Sequence, residues 1–348
     1  MQTRAEEIRS FILNNIPEHP KNIVAVTAAH FSVSRTTVHR HLTRLLKDKK
    51  ILKTGTTVRA VYTLFSSRNK NLEIKIQKDT DEDKIWKENL EGDFSSLTEN
   101  VLYICNYGFT EIYNNAIEHS EGEQILVTTK WNNDSVKISI SDDGVGIFKK
   151  IKRTLNLEDE RESILHLSKG KFTTDPERHT GEGIFFTSRC FDKFWIMANG
   201  LIYHKCNDLD DWFFETRDDK QENGTCVVME IRTDSKRSVE KLFAEYSNMD
   251  PVDGIKRFDK THILVSLSKF GEEHYISRSQ AKRILVGLDK FREVILDFRN
   301  IRTIGQGFVD EVFRVFQRKH RGLQIKYINA NDNIQFMIER GLPLPEGE

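Results

Sequence analysis

The chain has 348 residues, of which 53 are Lys or Arg and 53 are Asp or Glu, so its formal charge is zero. This length is sufficient for two or three domains. No apolar run approaches the roughly 18 residues that span a bilayer, and no apolar leader segment precedes the first predicted helix. These features exclude a membrane-spanning protein and predict a soluble, cytoplasmic protein with no membrane partner.

The zero net charge hides an uneven distribution of charge along the chain. Residues 1–70 contain 13 basic and 4 acidic residues, so the rest of the chain is acidic. A basic N-terminal end predicts an anionic partner for that part. The four cysteines (105, 190, 206 and 226) have no Cys-x-x-Cys spacing and lie in apolar runs. They are predicted to be reduced core residues, not metal ligands or disulfides.

The first 66 residues predict three helices and a hairpin. The helices are expected at residues 5–16, 22–31 and 35–46, and the strands at residues 51–53 and 60–64. The third helix places Val38, Leu42 and Leu45 on one face. Its opposite face presents basic and hydroxyl side chains, including Arg35, Thr36, His39 and Arg40.

This order of elements resembles a winged helix-turn-helix domain, in which the third helix enters the major groove and the hairpin forms the wing. The resemblance implies double-stranded DNA as a partner of residues 1–66. Arg35, Thr36, His39 and Arg40 would then face the bases, while Lys53 and Arg59 of the wing would contact phosphate. The alternative is a small helical domain whose charged face is only solvated.

Residues 67–100 are polar and acidic, and a strand at 72–76 and a short helix at 85–90 are expected there. The next helix, predicted to include residues 109–119, carries Glu111 and Asn115 one turn apart on one face. A strand follows in which the alternation of Val136, Ile138 and Ile140 continues to Asp142, so this carboxylate should point to the buried side of the sheet. A buried carboxylate needs a hydrogen-bond donor, and the amine of a purine is a suitable one.

The pattern Glu111-x-x-x-Asn115-Ala116 followed by Asp142-x-Gly144-x-Gly146 resembles the N box and the first glycine box of the GHKL ATPases. That superfamily includes gyrase-type topoisomerases, sensor histidine kinases and anti-sigma-factor serine kinases. Thr180-Gly181-Glu182-Gly183 and Asn223-Gly224-Thr225 resemble its two later boxes. Each motif alone is common in turns or on solvated helices, so the assignment depends on all four occurring in order.

The resemblance implies a Bergerat-type α/β sandwich over residues 67–235 that binds ATP and Mg²⁺. Asn115 would bind the metal, and Glu111 would be the catalytic base. The remaining nucleotide contacts would come from Asp142, Gly144, Gly146, Gly181, Gly183 and Thr225. For His119, a place beside the phosphates and an ordinary core or surface position stay open. Residues 148–180 are charged and poorly periodic, which predicts a lid, and strands are expected at 194–198, 201–206, 211–216 and 225–231.

Beyond a linker at residues 248–254, strands at 263–267, 293–298 and 323–328 alternate with helices at 277–288, 307–320 and 333–340. This alternation predicts a small α/β domain over residues 255–345. Residues 294–309 resemble the STAS-like fold of anti-anti-sigma factors, but Gly305-Gln306-Gly307 stands where those proteins carry a phosphorylatable serine. A docking or dimerisation module, which would bind a protein partner or form a homodimer, is therefore expected.

The chain is thus predicted to be a multidomain α+β protein, and three classes of function stay open. The fused DNA-binding part favours a transcription regulator in which the nucleotide state of a GHKL domain controls a winged helix. The alternatives are a cytosolic serine/threonine protein kinase of the anti-sigma type and a dimeric ATPase clamp that acts on a protein partner. The chemistry at the site is left open between a weak Mg-dependent ATPase and a serine/threonine kinase.

Overall fold

The computed structural model describes residues 3–48, 50–56, 59–64, 68–77, 81–95, 97–132, 134–172, 180–206, 212–215, 223–250, 253–268, 275 and 277–342. The chain divides into two compact units. The smaller comprises Met1–Lys70 with Thr129–Val136, and the larger comprises Asn71–Thr128 with Lys137–Glu348. In the part of the chain that the structure describes, no helix has the length and apolar character needed to cross a membrane.

The smaller unit contains three helices followed by an antiparallel hairpin. These elements are α1 (Arg4–Asn15), α2 (Ile23–Phe31), α3 (Arg35–Lys47), β1 (Ile51–Thr54) and β2 (Val61–Leu64). Thr3 and Glu6 form a capping box at the start of α1, and the Ser34 side chain accepts a hydrogen bond from the Thr37 amide at the start of α3.

The core of the smaller unit is aliphatic apart from Tyr62. It contains Ile8, Ile12, Ile16, Ile23, Val38, Leu42, Leu45, Ile51 and Tyr62. Val38, Leu42 and Leu45 recur at helical spacing on α3, so one face of this helix is buried and the other is left to solvent. The Tyr62 amide donates to the carbonyl of Pro20 at 2.8 Å, which joins the hairpin to the segment before α2.

A seven-stranded sheet has the order β3-β4-β5-β9-β6-β7-β8, and it belongs to the larger unit except for residues 68–70, 129–131 and 135–136, which are assigned to the smaller unit. Its strands are β3 (Arg68–Lys75), β4 (Gln124–Trp131), β5 (Ser135–Asp142), β6 (Lys193–Ala198), β7 (Leu201–Cys206), β8 (Trp212–Glu215) and β9 (Thr225–Arg232). The helices in this part of the chain are α4 (Glu82–Asn89), α5 (Glu99–His119), α6 (Ile147–Leu155), α7 (Arg161–Lys169) and α8 (Gly183–Cys190).

Strand order in this sheet brings together motifs that are far apart in sequence. Because β9 lies next to β5, the start of β9 at Thr225 is beside the end of β5 at Asp142. Helix α5 packs on both β9 and α8, so the face that carries Glu111 and Asn115 lies near the N-terminus of α8. The sheet and its helices therefore gather the four predicted motifs at one place.

The C-terminal part adds a parallel three-stranded sheet in the order β12-β13-β14. Its elements are α9 (Val239–Glu245), β10 (Ser247–Met249), β11 (Lys256–Phe258), β12 (Lys260–Leu264), α10 (Arg278–Leu285), β13 (Glu293–Asp297), α11 (Gln306–Val309), α12 (Gln317–Lys319), β14 (Gln324–Ile328) and α13 (Asp332–Gly341). A π-helical stretch, Asp310–Phe316, joins α11 to α12.

The segment expected to be a charged lid, residues 148–180, largely forms two helices, α6 and α7. The sequence hides α7 because polar side chains on it are buried, among them Ser163, His166, Ser168 and Lys169. A helix buried on several sides shows no clean apolar periodicity. Residues 173–179 of the expected lid lie outside the described residues.

Two further expectations differ from the structure. The expected linker at residues 248–254 begins in β10, which pairs with β11 as an antiparallel hairpin, and helix α9 precedes that hairpin. Cys105 and Cys190 are buried as expected, but Cys206 and Cys226 are only partly buried. All four cysteines lie in apolar runs of the sequence, but Cys206 and Cys226 occupy strand positions that are only partly buried.

Candidate functional site

A cavity of about 660 Å³ lies between α5, the end of β5, the start of β9 and α8. Its volume falls in the range of small-molecule and cofactor sites. Eight residues singled out from the sequence line it: Glu111, Asn115, His119, Asp142, Gly146, Gly181, Gly183 and Thr225. Gly144 is buried behind the lining, against the carbonyl of Ser120.

Asp142 lines this cavity, and its carboxylate accepts hydrogen bonds from backbone amides. One of its carboxylate oxygens, Oδ1, accepts hydrogen bonds from the amides of Gly144 at 3.0 Å and Thr225 at 3.1 Å. Burial raises the pKa of this carboxyl above its usual range, although the two backbone hydrogen bonds oppose the shift. The carboxylate therefore faces a partly desolvated cavity, where a hydrogen bond from a donor on a ligand would be stronger than in water.

Thr225 connects the last motif to the first glycine turn. Its hydroxyl oxygen accepts a hydrogen bond from the amide of Ile147 at 2.9 Å. Ile147 is the first residue of α6, so this bond satisfies one of the amides that a helix leaves unpaired at its start. Thr225, at the start of β9, thus lines the cavity and is hydrogen-bonded to the start of α6.

Glu111 and Asn115 project into the cavity from successive turns of α5. The side chain of Glu111 comes so close to Gly183 that a Cβ at that position would collide with its carboxylate. Gly183 opens α8, and the side chain of its N-cap residue, Glu182, makes no capping hydrogen bond. Free amides and the positive end of a helix favour an anion such as a phosphate group, and Glu111 lies beside that position.

A magnesium ion is compatible with these side chains. Mg²⁺ prefers a few oxygen ligands completed by waters and phosphate oxygens, and the Asn115 side chain can supply one protein oxygen inside the cavity. The described residues contain no group of three or more His, Cys, Asp or Glu side chains arranged to hold a metal by themselves. Asn115 would therefore hold the ion together with a bound polyphosphate.

Lys150 and Asn199 contribute to the site from outside the motifs, and no pattern in the sequence singles out either of them. Lys150 of α6 lines the cavity, and its ammonium donates to the His119 carbonyl at 2.6 Å and pairs with Glu121 at 3.3 Å. Asn199 lies after β6, where its side-chain oxygen accepts from the Lys149 amide at 3.2 Å and its amide donates to the Val145 carbonyl at 3.2 Å. Only the tertiary fold reveals these contacts.

Tyr107 and Glu182 add a polar group and a second carboxylate to the wall near Glu111. Burial raises the pKa of the Tyr107 phenol, and the nearby Glu111 carboxylate raises it further, so the phenol stays protonated. Burial also raises the pKa of Glu182. The sequence offered a signal for Glu182, because it stands between the two glycines of Gly181-Glu182-Gly183.

The predicted DNA-contacting residues all lie in the smaller unit and are all exposed: Arg35, Thr36, His39, Arg40, Lys53 and Arg59. The first four lie on α3 outside its buried stripe of Val38, Leu42 and Leu45. Lys53 is on β1, and Arg59 stands just before β2. These positions leave the side chains accessible to a large ligand.

In the C-terminal sheet domain, Gly305-Gln306-Gly307 lies at the start of α11, with Gly305 at the N-cap. The Gly305 amide donates to the Tyr275 carbonyl at 2.7 Å. These three positions carry no hydroxyl. A phosphoacceptor serine is thus absent from the place where the anti-anti-sigma resemblance would require it.

Two parts of the chain match known families. Residues 107–235 match the family described as histidine kinase-, DNA gyrase B- and HSP90-like ATPases, and residues 280–335 match a STAS-like domain of unknown function. A comparison with curated proteins found no match to the chain. A domain of the first kind implies ATP binding, usually with Mg²⁺. Residues 107–235 therefore form a GHKL-type ATPase domain, and residues 280–335 form a STAS-like domain.

Proposed function

We propose that the protein is an ATP-binding, DNA-binding transcription regulator in which the nucleotide state of the ATPase domain controls DNA binding by the N-terminal helices. The observation that carries this proposal is the presence in one chain of two sites. One is a nucleotide-sized cavity containing Asp142, Asn115 and Glu111, and the other is an exposed basic face on a helix with its own core.

In the ATPase domain, the Asp142 carboxylate is suited to accept a hydrogen bond from the exocyclic amine of adenine. The amides at the start of α8 would receive phosphate oxygens. Bound Mg²⁺ would neutralise phosphate charge, with Asn115 as its protein ligand. Glu111, whose carboxylate lies beside the start of α8, would accept a proton from a water or hydroxyl that attacks the terminal phosphate.

In the smaller unit, α3 would act as the recognition helix. Arg35 and Arg40 can each make a bidentate contact with guanine, and Thr36 and His39 offer further hydrogen-bonding groups on the same face. Lys53 and Arg59 carry exposed charge on or beside the hairpin, which supports a role on the phosphate backbone. The excess of basic residues in residues 1–70 supports the same interpretation.

The direct test measures DNA affinity of the full chain without nucleotide, with Mg-ADP and with Mg-ATP, on a DNA sequence selected from a random pool. We expect the nucleotide to change the dissociation constant by roughly 5-fold to 150-fold, the usual span of allosteric coupling. At a nucleotide concentration that saturates the parent but not the weaker-binding variant, Asp142→Asn should bind the same DNA with a smaller response. Asp143→Asn is the matched control, because the exposed Asp143 carboxylate accepts from the Glu123 and Gln124 amides and does not line the cavity.

Incubation with γ-labelled ATP and Mg²⁺ separates the alternatives. Free phosphate indicates an ATPase, and label on a protein hydroxyl indicates a serine/threonine kinase. ATP-dependent dimerisation without any effect on DNA would favour a clamp that acts on a protein partner. If the parent chain bound no selected DNA under any nucleotide condition, the proposal of a DNA-binding regulator would be wrong.

A further inference from the structure

The STAS-like domain packs directly against one wall of the nucleotide cavity. We call residues 167–172 together with Phe185 the shared wall. Leu167, Phe172 and Phe185 line the cavity. Lys169 and Lys171 belong to the same wall, but their ammonium groups reach to the C-terminal domain. Along this wall, a single layer of residues therefore separates the nucleotide cavity from α10 and the segment that follows it.

Lys169 makes the most specific contact in this layer. Its side chain is only 2% exposed. Its ammonium donates to the carbonyls of Val286 at 3.0 Å and Arg283 at 3.3 Å, both at the C-terminal end of α10. A cation there satisfies carbonyls that a helix leaves unpaired and interacts favourably with the helix dipole. In return, the buried hydroxyl of Thr261, on β12, donates to the backbone carbonyl of Lys169 at 2.7 Å.

A second polar contact lies two residues further along the wall. The Lys171 ammonium donates to the Lys290 carbonyl at 2.8 Å, and the Lys290 ammonium donates to the Lys171 carbonyl at 3.3 Å. The Lys171 ammonium also lies 4.8 Å from the ring centre of Phe291, within the range of a cation–π interaction. Both lysines of the wall segment, Lys169 and Lys171, thus donate hydrogen bonds to backbone carbonyls of the C-terminal domain.

Aromatic packing joins the same surfaces. The ring of Phe258 lies 4.6 Å from that of Phe185 and 5.5 Å from that of Phe291. Gly170, with φ of +79°, fills the corner between them, and a Cβ there would come within 2.9 Å of both Phe185 and Phe258. All three rings are buried. Displacing the C-terminal domain would expose Phe258 and remove the support behind Phe185.

We propose that the STAS-like domain acts in cis as a positioning element for the ATP site, holding the shared wall in the arrangement that accepts nucleotide. The docked arrangement has an open cavity with Glu111 against the start of α8. Loosening the contact therefore weakens ATP binding. By thermodynamic linkage, ATP tightens docking of the domain by the same factor. A partner protein that competes for this face of the domain would lower the ATP affinity. The inference rests on ATP binding by the ATPase domain, but not on DNA binding.

Thr261→Val and Lys169→Met test this coupling in the full chain. Thr261 does not line the cavity, and valine retains its shape while removing the hydroxyl that bonds to Lys169. Lys169→Met keeps a long unbranched side chain but removes both hydrogen bonds to α10. We expect each variant to weaken ATP binding by about 5-fold or more. Lys326→Met is the matched control, since Lys326 pairs with Glu293 at 2.9 Å inside the STAS-like domain.

Hydrogen exchange of residues 281–291, with and without Mg-ATP, provides a second readout. ATP should slow exchange there in the parent and in Lys326→Met, and this protection should shrink in the two interface variants. If Thr261→Val or Lys169→Met speeds exchange of this segment while ATP affinity stays at the parent value or rises, the coupling is overturned. Should one variant fail to fold, the other decides. A parent chain that binds no ATP would refute the nucleotide site itself, whereas a parent that binds ATP but not DNA would refute only the proposed regulator.

Discussion

At the scale of single residues, hydrogen bonds from backbone amides fix the orientation of the Asp142 and Asp143 carboxylates and thereby limit the contacts that each can make. Oδ1 of Asp142 accepts from the amides of both Gly144 and Thr225, which orients the carboxylate across the junction of β5 and β9. Asp143, the next residue, turns outward and accepts from two amides at the surface. Neighbouring carboxylates with such different surroundings have different roles, and substitutions should separate them.

Asp142→Asn should weaken ATP binding by about 1–3 kcal/mol, the cost of a mispaired buried polar group. The amide keeps the shape of the side chain, but its NH₂ group faces either the protein amides or the adenine amine, and both are donors. Isothermal titration with Mg-ATP measures the loss. Asp143→Asn should bind ATP like the parent, and equal affinity in a folded Asp142→Asn variant would remove this residue from the adenine site.

Substitutions of Glu111 and Asn115 should affect different steps, the first turnover and the second binding of Mg-ATP. Asn115→Ala removes the expected magnesium ligand, so Mg-ATP binding should weaken while binding of ATP in EDTA changes little. Glu111→Gln keeps the contact with the start of α8 and removes the base. It should therefore bind Mg-ATP normally and lose turnover by about 10²-fold to 10⁴-fold. Parent-like turnover in Glu111→Gln would mean that the base lies elsewhere or that the site senses nucleotide without cleaving it.

Lys169 should make stability depend on pH. Burial lowers the pKa of its ammonium from 10.5 to about 7, although Glu162 on the same helix partly opposes this shift. Between these two pH values the unfolded chain binds a proton that the folded chain does not. The free energy of unfolding therefore rises with pH across this window, by at most about 1.4 kcal/mol per pH unit.

Urea unfolding of the parent, Lys169→Met and Lys326→Met between pH 6.5 and 9.5 checks this effect. The parent should gain stability relative to Lys169→Met as the pH rises, because methionine has no proton to release. Lys326→Met should follow the parent. His166, whose pKa burial lowers to about 3, is neutral in the folded chain, so its imidazole adds a slope only near the lower end of this range, where the unfolded chain still binds a proton there. Parallel curves for the parent and Lys169→Met would show that the ammonium titrates normally.

At the scale of elements, the sequence predicted those whose residues alternate or recur at regular spacing. Alternation through Val136, Ile138 and Ile140 predicted the strand β5, at whose end Asp142 lines the cavity, and helical spacing identified α5 and the buried face of α3. Local pattern carries this information because a strand or helix with one buried face must repeat every 2 or 3.6 residues.

The parts that were missed depend on contacts between distant segments. Helix α7 buries Lys169 because carbonyls of α10, more than a hundred residues later, accept from its ammonium. Asn199 supports the first glycine turn from a position 54 residues away. No local pattern announces a polar residue whose partner is supplied by another element, so α7, Lys150 and Asn199 could not be predicted as parts of the site.

Helix α3 and the hairpin should differ in how they affect DNA binding. Arg40→Ala should cost roughly 1–3 kcal/mol on a selected site and relax its sequence preference, as expected for the loss of a base contact. Lys53→Ala should weaken selected and scrambled DNA alike and reduce the salt slope by about one phosphate contact. Binding isotherms at several salt concentrations distinguish the two patterns. If both variants lost equal affinity on both DNAs, α3 would not be a recognition helix.

At the scale of the whole molecule, the chain joins a small unit with its own aliphatic core to a larger unit in which two domains share a wall. Within the larger unit, hydrogen bonds donated by the side chains of Lys169, Lys171 and Thr261 to backbone carbonyls connect the ATPase domain with the C-terminal domain. A bound nucleotide and a partner of the STAS-like domain would therefore act on one conformational equilibrium.

Reciprocity gives the sharpest test of regulation in the intact chain. If Mg-ATP changes the DNA dissociation constant by some factor, saturating DNA must change the ATP dissociation constant by the same factor, because both describe one thermodynamic cycle. Titrating ATP with and without selected DNA, and DNA with and without ATP, yields the two factors independently.

Asp142→Asn, measured at ATP concentrations that saturate it, should retain the factor if this residue serves only affinity. Arg40→Ala should retain it as well, provided that the selected DNA is saturating. If the two factors disagreed beyond experimental error, turnover and not a binding equilibrium would drive the response. If both factors equalled 1, the ATP site and the DNA-binding helices would be uncoupled.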